Sequence, residues 1–255
     1  MIKLHCTRFD VKGVPVLSDS DIEKFAYYVL QDYKPGLLRE PGKINYAHFI
    51  ESYIGANLDY QDIYNEDPDK PIFGMAVFNE GEIKVFDRER QCVKNIWVDG
   101  RTIVLDNFVM REGKEGLARF TGLHESGHLL LHAGDYAGIE FFEYDESVPF
   151  IACRSEGIEG LPTRKIRRSP ADWKERQANY FAACVAMPIS TFIPFVRQVL
   201  RSQGVWRSVL SIGLDDDTDY LARDLLPETI AENYGVSKTA AYIKLLKCGI
   251  VIERS

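Results

Sequence analysis

Apolar residues change their spacing twice along the chain, dividing it into a helical start, a strand-rich middle and a helical remainder. Ile22, Phe25, Ala26, Val29, Leu30 and Tyr33 recur at helical spacing. Ser20 and Glu23 form a capping box at the head of this run, and Pro35-Gly36 ends the helix. A second amphipathic helix is predicted from about Asn45 to Tyr53, closed by Gly55. The middle then reads as strands. Residues 72–78 and 82–86 flank Asn79-Glu80-Gly81 and are predicted to pair as a hairpin. Arg101-Thr102-Ile103-Val104-Leu105-Asp106 is a further β-branched run.

From Gly116 the spacing is helical again. After Gly134 a stretch without clear pattern reaches about Arg168. Ser169-Pro170-Ala171-Asp172 then opens a helix, with a serine cap, a proline in the first turn and an acid near the positive end. That helix continues to about Ala186 and is stopped by Pro188, and Ser190, Ser211 and Ser237 are the expected starts of short later helices. Strands followed by helices make an α+β plan. A small antiparallel or mixed sheet should pack on the helix after Gly116, ahead of a helical C-terminal part.

Composition narrows the function more than the fold. At 255 residues the chain can form one large domain, or a domain with a small appendage. A net charge of −7 argues against a dedicated nucleic-acid binder, whose footprint is basic. The cluster Arg164-Lys165-Ile166-Arg167-Arg168 reads as a solvated loop. Cys6, Cys92, Cys153, Cys184 and Cys248 are scattered with no C-x-x-C pair, which argues against a thiolate zinc site or a disulfide framework. No signal-peptide pattern opens the chain and no apolar stretch reaches the length of a membrane span. The expectation is a soluble, cytoplasmic protein with no membrane partner.

The chemistry concentrates in His124-Glu125-Ser126-Gly127-His128, an H-E-x-x-H motif on the helix after Gly116. Positions i and i+4 stand on one helix face about 6 Å apart, so two imidazoles can grip one ion. Glu125 is then aimed at the ion's open side, where it can take a proton from water. A catalytic zinc needs a third protein ligand. His132 lies about 12 Å along the helix from His124, too far to reach the ion, and is expected to be a polar residue near the helix end, with support of a ligating residue as the alternative. A metzincin would need a histidine where Gly134 stands. Glu175 is the better candidate, with Asn179 one turn on to accept the N–H of a ligating imidazole. Ala178, Phe181, Ala182, Ala183 and Val185 surround it, and a charge in such company calls for a cation.

Phe120-Thr121-Gly122-Leu123-His124-Glu125-Ser126-Gly127-His128, together with the run from Glu175 through Ala178-Asn179-Tyr180-Phe181-Ala182-Ala183 to Met187-Pro188, resembles the ImmA/IrrE-type metallo-endopeptidases. The strand Thr102 to Asp106 is also similar to theirs. Gly122 and Ser126 stand where larger apolar residues are usual, and Ala186 where leucine is common. The resemblance implies one zinc ion on His124, His128 and Glu175, with Glu125 as general base. It also implies a protein substrate, a transcriptional repressor encoded nearby on a mobile element or in a stress operon. Nitrogen and oxygen donors discriminate little among divalent ions, so Mn2+ and Fe2+ stay open beside Zn2+.

Two further site expectations follow. Tyr180 is a candidate oxyanion donor, and Ile103, Val104, Leu105 and Asp106 are expected to form an exposed edge that pairs with extended substrate. Residues 229–250 resemble a helix-turn-helix, with Gly235 at the turn and Ser237 as cap. DNA contact there would use Lys238, Thr239 and Tyr242. Lys244 sits where an apolar residue is usual and Glu228 and Glu232 offset the lysines, so packing or repressor docking is the favoured role. The expected division is a catalytic domain over residues 1–205 and a helical segment over 206–255. The rival expectation is a non-catalytic DNA- or protein-binding regulator with a structural or vestigial metal site.

Overall fold

The computed structural model describes residues 2–4, 6, 8–10, 14–67, 69, 71–132, 150–154 and 170–253, with 150–154, 170 and 171 described in backbone only. The stretch without pattern, its basic cluster and the Ser169 cap lie almost wholly outside the described residues. The chain is a mixed α+β protein. Helix α1 spans Asp19–Tyr33. Its cap is Ser18, whose side chain accepts from the Asp21 backbone N–H while Asp21 bonds back to Ser18. The sequence holds two overlapping boxes, Ser18-x-x-Asp21 and Ser20-x-x-Glu23, and the outer one is used. Helix α2, Tyr46–His48, runs into a π-helical turn over Phe49–Ile54 that closes at Gly55 in the left-handed region (φ 68°).

Six strands build the middle: β1 (Asn57–Gln61), β2 (Ile72–Val77), β3 (Gly81–Asp87), β4 (Cys92–Val98), β5 (Thr102–Asp106) and β6 (Phe150–Arg154). β1, β5, β2 and β6 form a mixed sheet in that order, in which β5 pairs parallel with β1 and antiparallel with β2. β2 does not pair with β3, which corrects the hairpin expected around Asn79-Glu80-Gly81. The hairpin is β3–β4, turning through Arg88 to Gln91, with Gln91 itself at φ 52°. No glycine or asparagine marks that turn, so the usual hairpin signal is missing.

β5 is also not an edge. It lies between two partners, and all five of its residues are buried. The unbroken run Thr102 to Asp106 is that of a strand covered on both faces, not one with a side free for substrate. Ile103 and Leu105 face the main core, while Val104 joins Met75, Val77, Ile83, Val85 and Val98 beneath the hairpin.

Helix α3, Glu115–Leu131, lies on the sheet, and α4, Pro170–Ala186, packs along it. Gly127 permits this approach, since a Cβ there would meet the Ala178 Cα at 3.1 Å. The small residues Gly122 and Ser126 have local roles in α3. Gly122 leaves room for the Tyr46 ring, and Ser126 Oγ donates to the Gly122 carbonyl (2.7 Å). Helix α5, Ile189–Ser202, starts after Pro188 as its cap, so Ser190 is not the start and instead donates to the Leu38 carbonyl. Ser211 lies in strand β7, Leu210–Ile212, and Asp215 caps helix α6, Asp216–Tyr220. α7, Leu226–Tyr234, meets α8, Lys238–Lys247, through Gly235 (φ 66°) and the Ser237 cap, and β8, Val251–Glu253, pairs parallel with β7.

Ile230, Tyr234, Leu245 and Val251 belong to the same core cluster as α1, α3, α4 and α5. Among the described residues no single helix is long and apolar enough to cross a membrane. α4 and α5 pass that test only as a pair bent by 60°, and Phe181, Val185, Phe192 and Val196 are buried in the core.

α3 begins against the C-terminal helix pair. Arg119 donates to the Ile44 and Gly235 carbonyls, and a Cβ on Gly116 would lie 2.8 Å from the Val236 carbonyl carbon. Alanine at 116 gains at most about 1 kcal/mol of helix propensity. The backbone clash costs roughly 1–3 kcal/mol and should outweigh it. Gly116→Ala is therefore expected to lower the urea midpoint by the equivalent of about 1–2 kcal/mol, and an unchanged midpoint would count against this close approach.

Candidate metal centre

α3 and α4 bring His124, His128 and Glu175 to one point. His124 Nε2 and His128 Nε2 lie 3.0 Å apart, and Glu175 places Oε2 3.3 Å from the first and Oε1 3.2 Å from the second. A tetrahedral ion with bonds of 2.0–2.2 Å separates its donors by roughly 3.3 Å, so the group has metal-binding spacing. Both histidines are fully buried, and Glu175 is partly open.

The hydrogen bonds fix which ring nitrogens can serve. His124 Nδ1–H donates to Asn179 Oδ1 (3.1 Å), so a neutral His124 turns a bare Nε2 toward the centre. His128 Nδ1 lies 3.1 Å from His132 Nδ1, and His132 Nε2–H donates to Gln177 Oε1 (2.9 Å). Burial pulls His128 down and His132 well down from the usual histidine value, which keeps both neutral. Burial also pushes Glu175 up, and what would hold it well below the carboxylate range is positive charge on the imidazole side, a role left to a cation when both rings are neutral. In the tautomers these hydrogen bonds select, lone pairs from three residues converge. A cation satisfies all three.

Glu125 is fully buried beside this group, and among the described residues neither of its oxygens has a well-formed hydrogen bond. Desolvation raises its pKa well above 4.5, and the charge of Glu175 adds to the rise. The Ala76 N–H lies near enough to oppose the shift without making a well-formed hydrogen bond. β2 makes room for the carboxyl with small residues. A Cβ on Gly74 would stand 2.9 Å from Glu125 Oε1 and 2.8 Å from Thr121 Cγ2.

Some expected residues lie elsewhere. Tyr180 follows Asn179 but is turned about 100° around α4. Its neighbours are Cys184 and Lys247, whose Nζ stands 5.4 Å from the ring centroid, so it does not join the centre as an oxyanion donor. Residues 103–106 lie inside the sheet, as described. His132 is the C-cap of α3, at the helix end as expected, but it is fully buried and bonded to His128 and Gln177. Gln177, Gly74 and Ala76 escaped the sequence reading. An i, i+4 ladder from His124 through His128 to His132, and a glycine inside a strand, were the available signals.

A scan against protein-family models and a search of curated proteins returned no match for this chain.

Glu125 has a thermodynamic signature in the metal-free protein. With its folded pKa raised, the folded chain holds a proton there that the unfolded chain releases. Stability therefore falls as pH rises from 4.5 toward the folded pKa, by about 1.4 kcal/mol per pH unit. Glu125→Gln removes this loss. Urea unfolding in chelator should show the variant gaining on wild type as pH rises above 4.5, whereas a pH-independent difference would mean a hydrated carboxyl.

Proposed function

We propose that this chain is a regulatory zinc-dependent endopeptidase of the ImmA/IrrE type, with His124, His128 and Glu175 as ligands and Glu125 as general base. The observation that carries the reading is the buried Glu125 carboxyl, without a well-formed hydrogen bond among the described residues, beside three donors at metal spacing. A site that only holds a structural ion has no use for that fourth group. Hydrolysis does.

His124, His128 and Glu175 would hold a divalent cation, which would supply Lewis-acid chemistry for a scissile carbonyl and the attacking water. Two neutral imidazoles and one carboxylate offset only half of its charge, which leaves the site electrophilic. Glu125 takes the proton from the water and delivers it to the leaving amine. Burial raises its proton affinity in the metal-free site, and the charge of a bound cation would offset that rise and ionise the carboxyl for proton uptake. Small residues at 74 and 76 keep the carboxyl in reach without competing for it.

Zinc is the proposed ion, by donor type and by the family resemblance, although Mn2+ and Fe2+ suit the same donors. The substrate class, a helix-turn-helix repressor encoded nearby, rests on the resemblance alone. For α7 and α8 we favour packing or repressor docking over DNA contact. Lys238 is paired with Asp224 and Tyr242 donates to Glu253, so two of the three side chains that DNA would need already face carboxylates.

The test combines zinc content with cleavage of a repressor encoded beside the chain, followed by mass spectrometry. Glu125→Gln should keep zinc and lose about 10²- to 10⁴-fold in cleavage rate. Cleavage at the wild-type rate would remove Glu125 as the base. Glu175→Ala should lower zinc occupancy, and unchanged affinity would move the third ligand to another residue.

A further inference from the structure

A line of buried hydrogen bonds runs from the N-terminal segment to His128. Its fixed end is the Pro15 carbonyl, which can only accept. Gln177 Nε2 donates to it (2.8 Å), and this leaves Gln177 Oε1 facing His132. An amide oxygen cannot donate, so the proton in that contact belongs to His132 Nε2. With one proton on its ring, His132 then presents a bare Nδ1 to His128 Nδ1 at 3.1 Å. The proton between those two nitrogens belongs to His128. Its Nε2 is left bare, and that is the atom beside His124 Nε2 and Glu175. Gln177 and His132 are only 2% and 0% exposed, so water offers neither an alternative partner.

We propose that Gln177 and His132 are positioning residues that, anchored on the Pro15 carbonyl, hold His128 in the tautomer protonated on Nδ1 and so free its Nε2 for a cation. An isolated neutral histidine favours the opposite tautomer, with the proton on the nitrogen needed here. For His124 a single contact with Asn179 does this work. For His128 it is done at two removes, by residues outside both the H-E-x-x-H motif and the Glu175–Asn179 pair. The consequence for metal affinity rests on the metal-centre reading above, but the tautomer does not.

The experiment uses the full chain labelled with 15N-histidine. Two-bond 15N–1H spectra of the chelator-treated protein report which ring nitrogen carries the proton. Wild type should show His128 protonated on Nδ1. Gln177→Met keeps the volume and removes both hydrogen bonds, and His132→Phe removes the middle ring's nitrogens. Both should move His128 wholly or partly to the Nε2-protonated form. Competition with a chelator should show Zn2+ binding weakened about 10- to 100-fold in each. A wild-type His128 protonated on Nε2 overturns the proposal by itself, whatever the variants do. So does a folded variant that keeps the Nδ1 proton and wild-type Zn2+ affinity. Wild type that takes up no Zn2+, Mn2+ or Fe2+ would instead sink the metal centre, a separate result from the tautomer spectrum.

Discussion

Two unprotonated imidazole nitrogens and a carboxylate facing one another inside a protein repel unless something positive lies between them, and that constraint organises this molecule. Such a cluster is costly to build from polar groups alone. It forms because α3 and α4 cross close together, with Gly127 against the Ala178 backbone. A larger residue at 127 would lever Glu175 away from the histidines. The hydrogen bonds that the two rings donate to Asn179 and His132 then hold them with their bare edges inward.

Glu125 shows the other side of the same arrangement. Its carboxyl is buried without a well-formed hydrogen bond among the described residues, between the small residues of β2 and the converging donors. For folding alone this is a defect, and an apolar side chain would serve better. Groups kept at a cost to stability are the ones that chemistry uses. The core around it is large enough to absorb the cost, since the C-terminal elements share the cluster formed by α1, α3, α4 and α5.

Much of this was legible in the chain. The helical spacing before Tyr33, the start of α3 near Gly116 and the α8 cap at Ser237 all follow from local chemistry and appear where that chemistry puts them. His124, His128, Glu175 and Asn179 could be paired across some fifty residues because each sits on a helix whose period is known. The misreadings have a common origin. The β3–β4 turn, the outer capping box at Ser18 and the interior position of β5 depended on competing local options or on partners distant in sequence.

Periodicity therefore determined which residues share a face: the two imidazoles on α3, and the carboxylate with the amide on α4. It could do so because side-chain direction within a helix repeats with a fixed angle. Whether those faces meet, which sheet residue leaves room for Glu125, and which ring nitrogen is bare were decided only in three dimensions. Those properties belong to contacts between Pro15, Gly74, His132 and Gln177, whose separations along the chain carry no period.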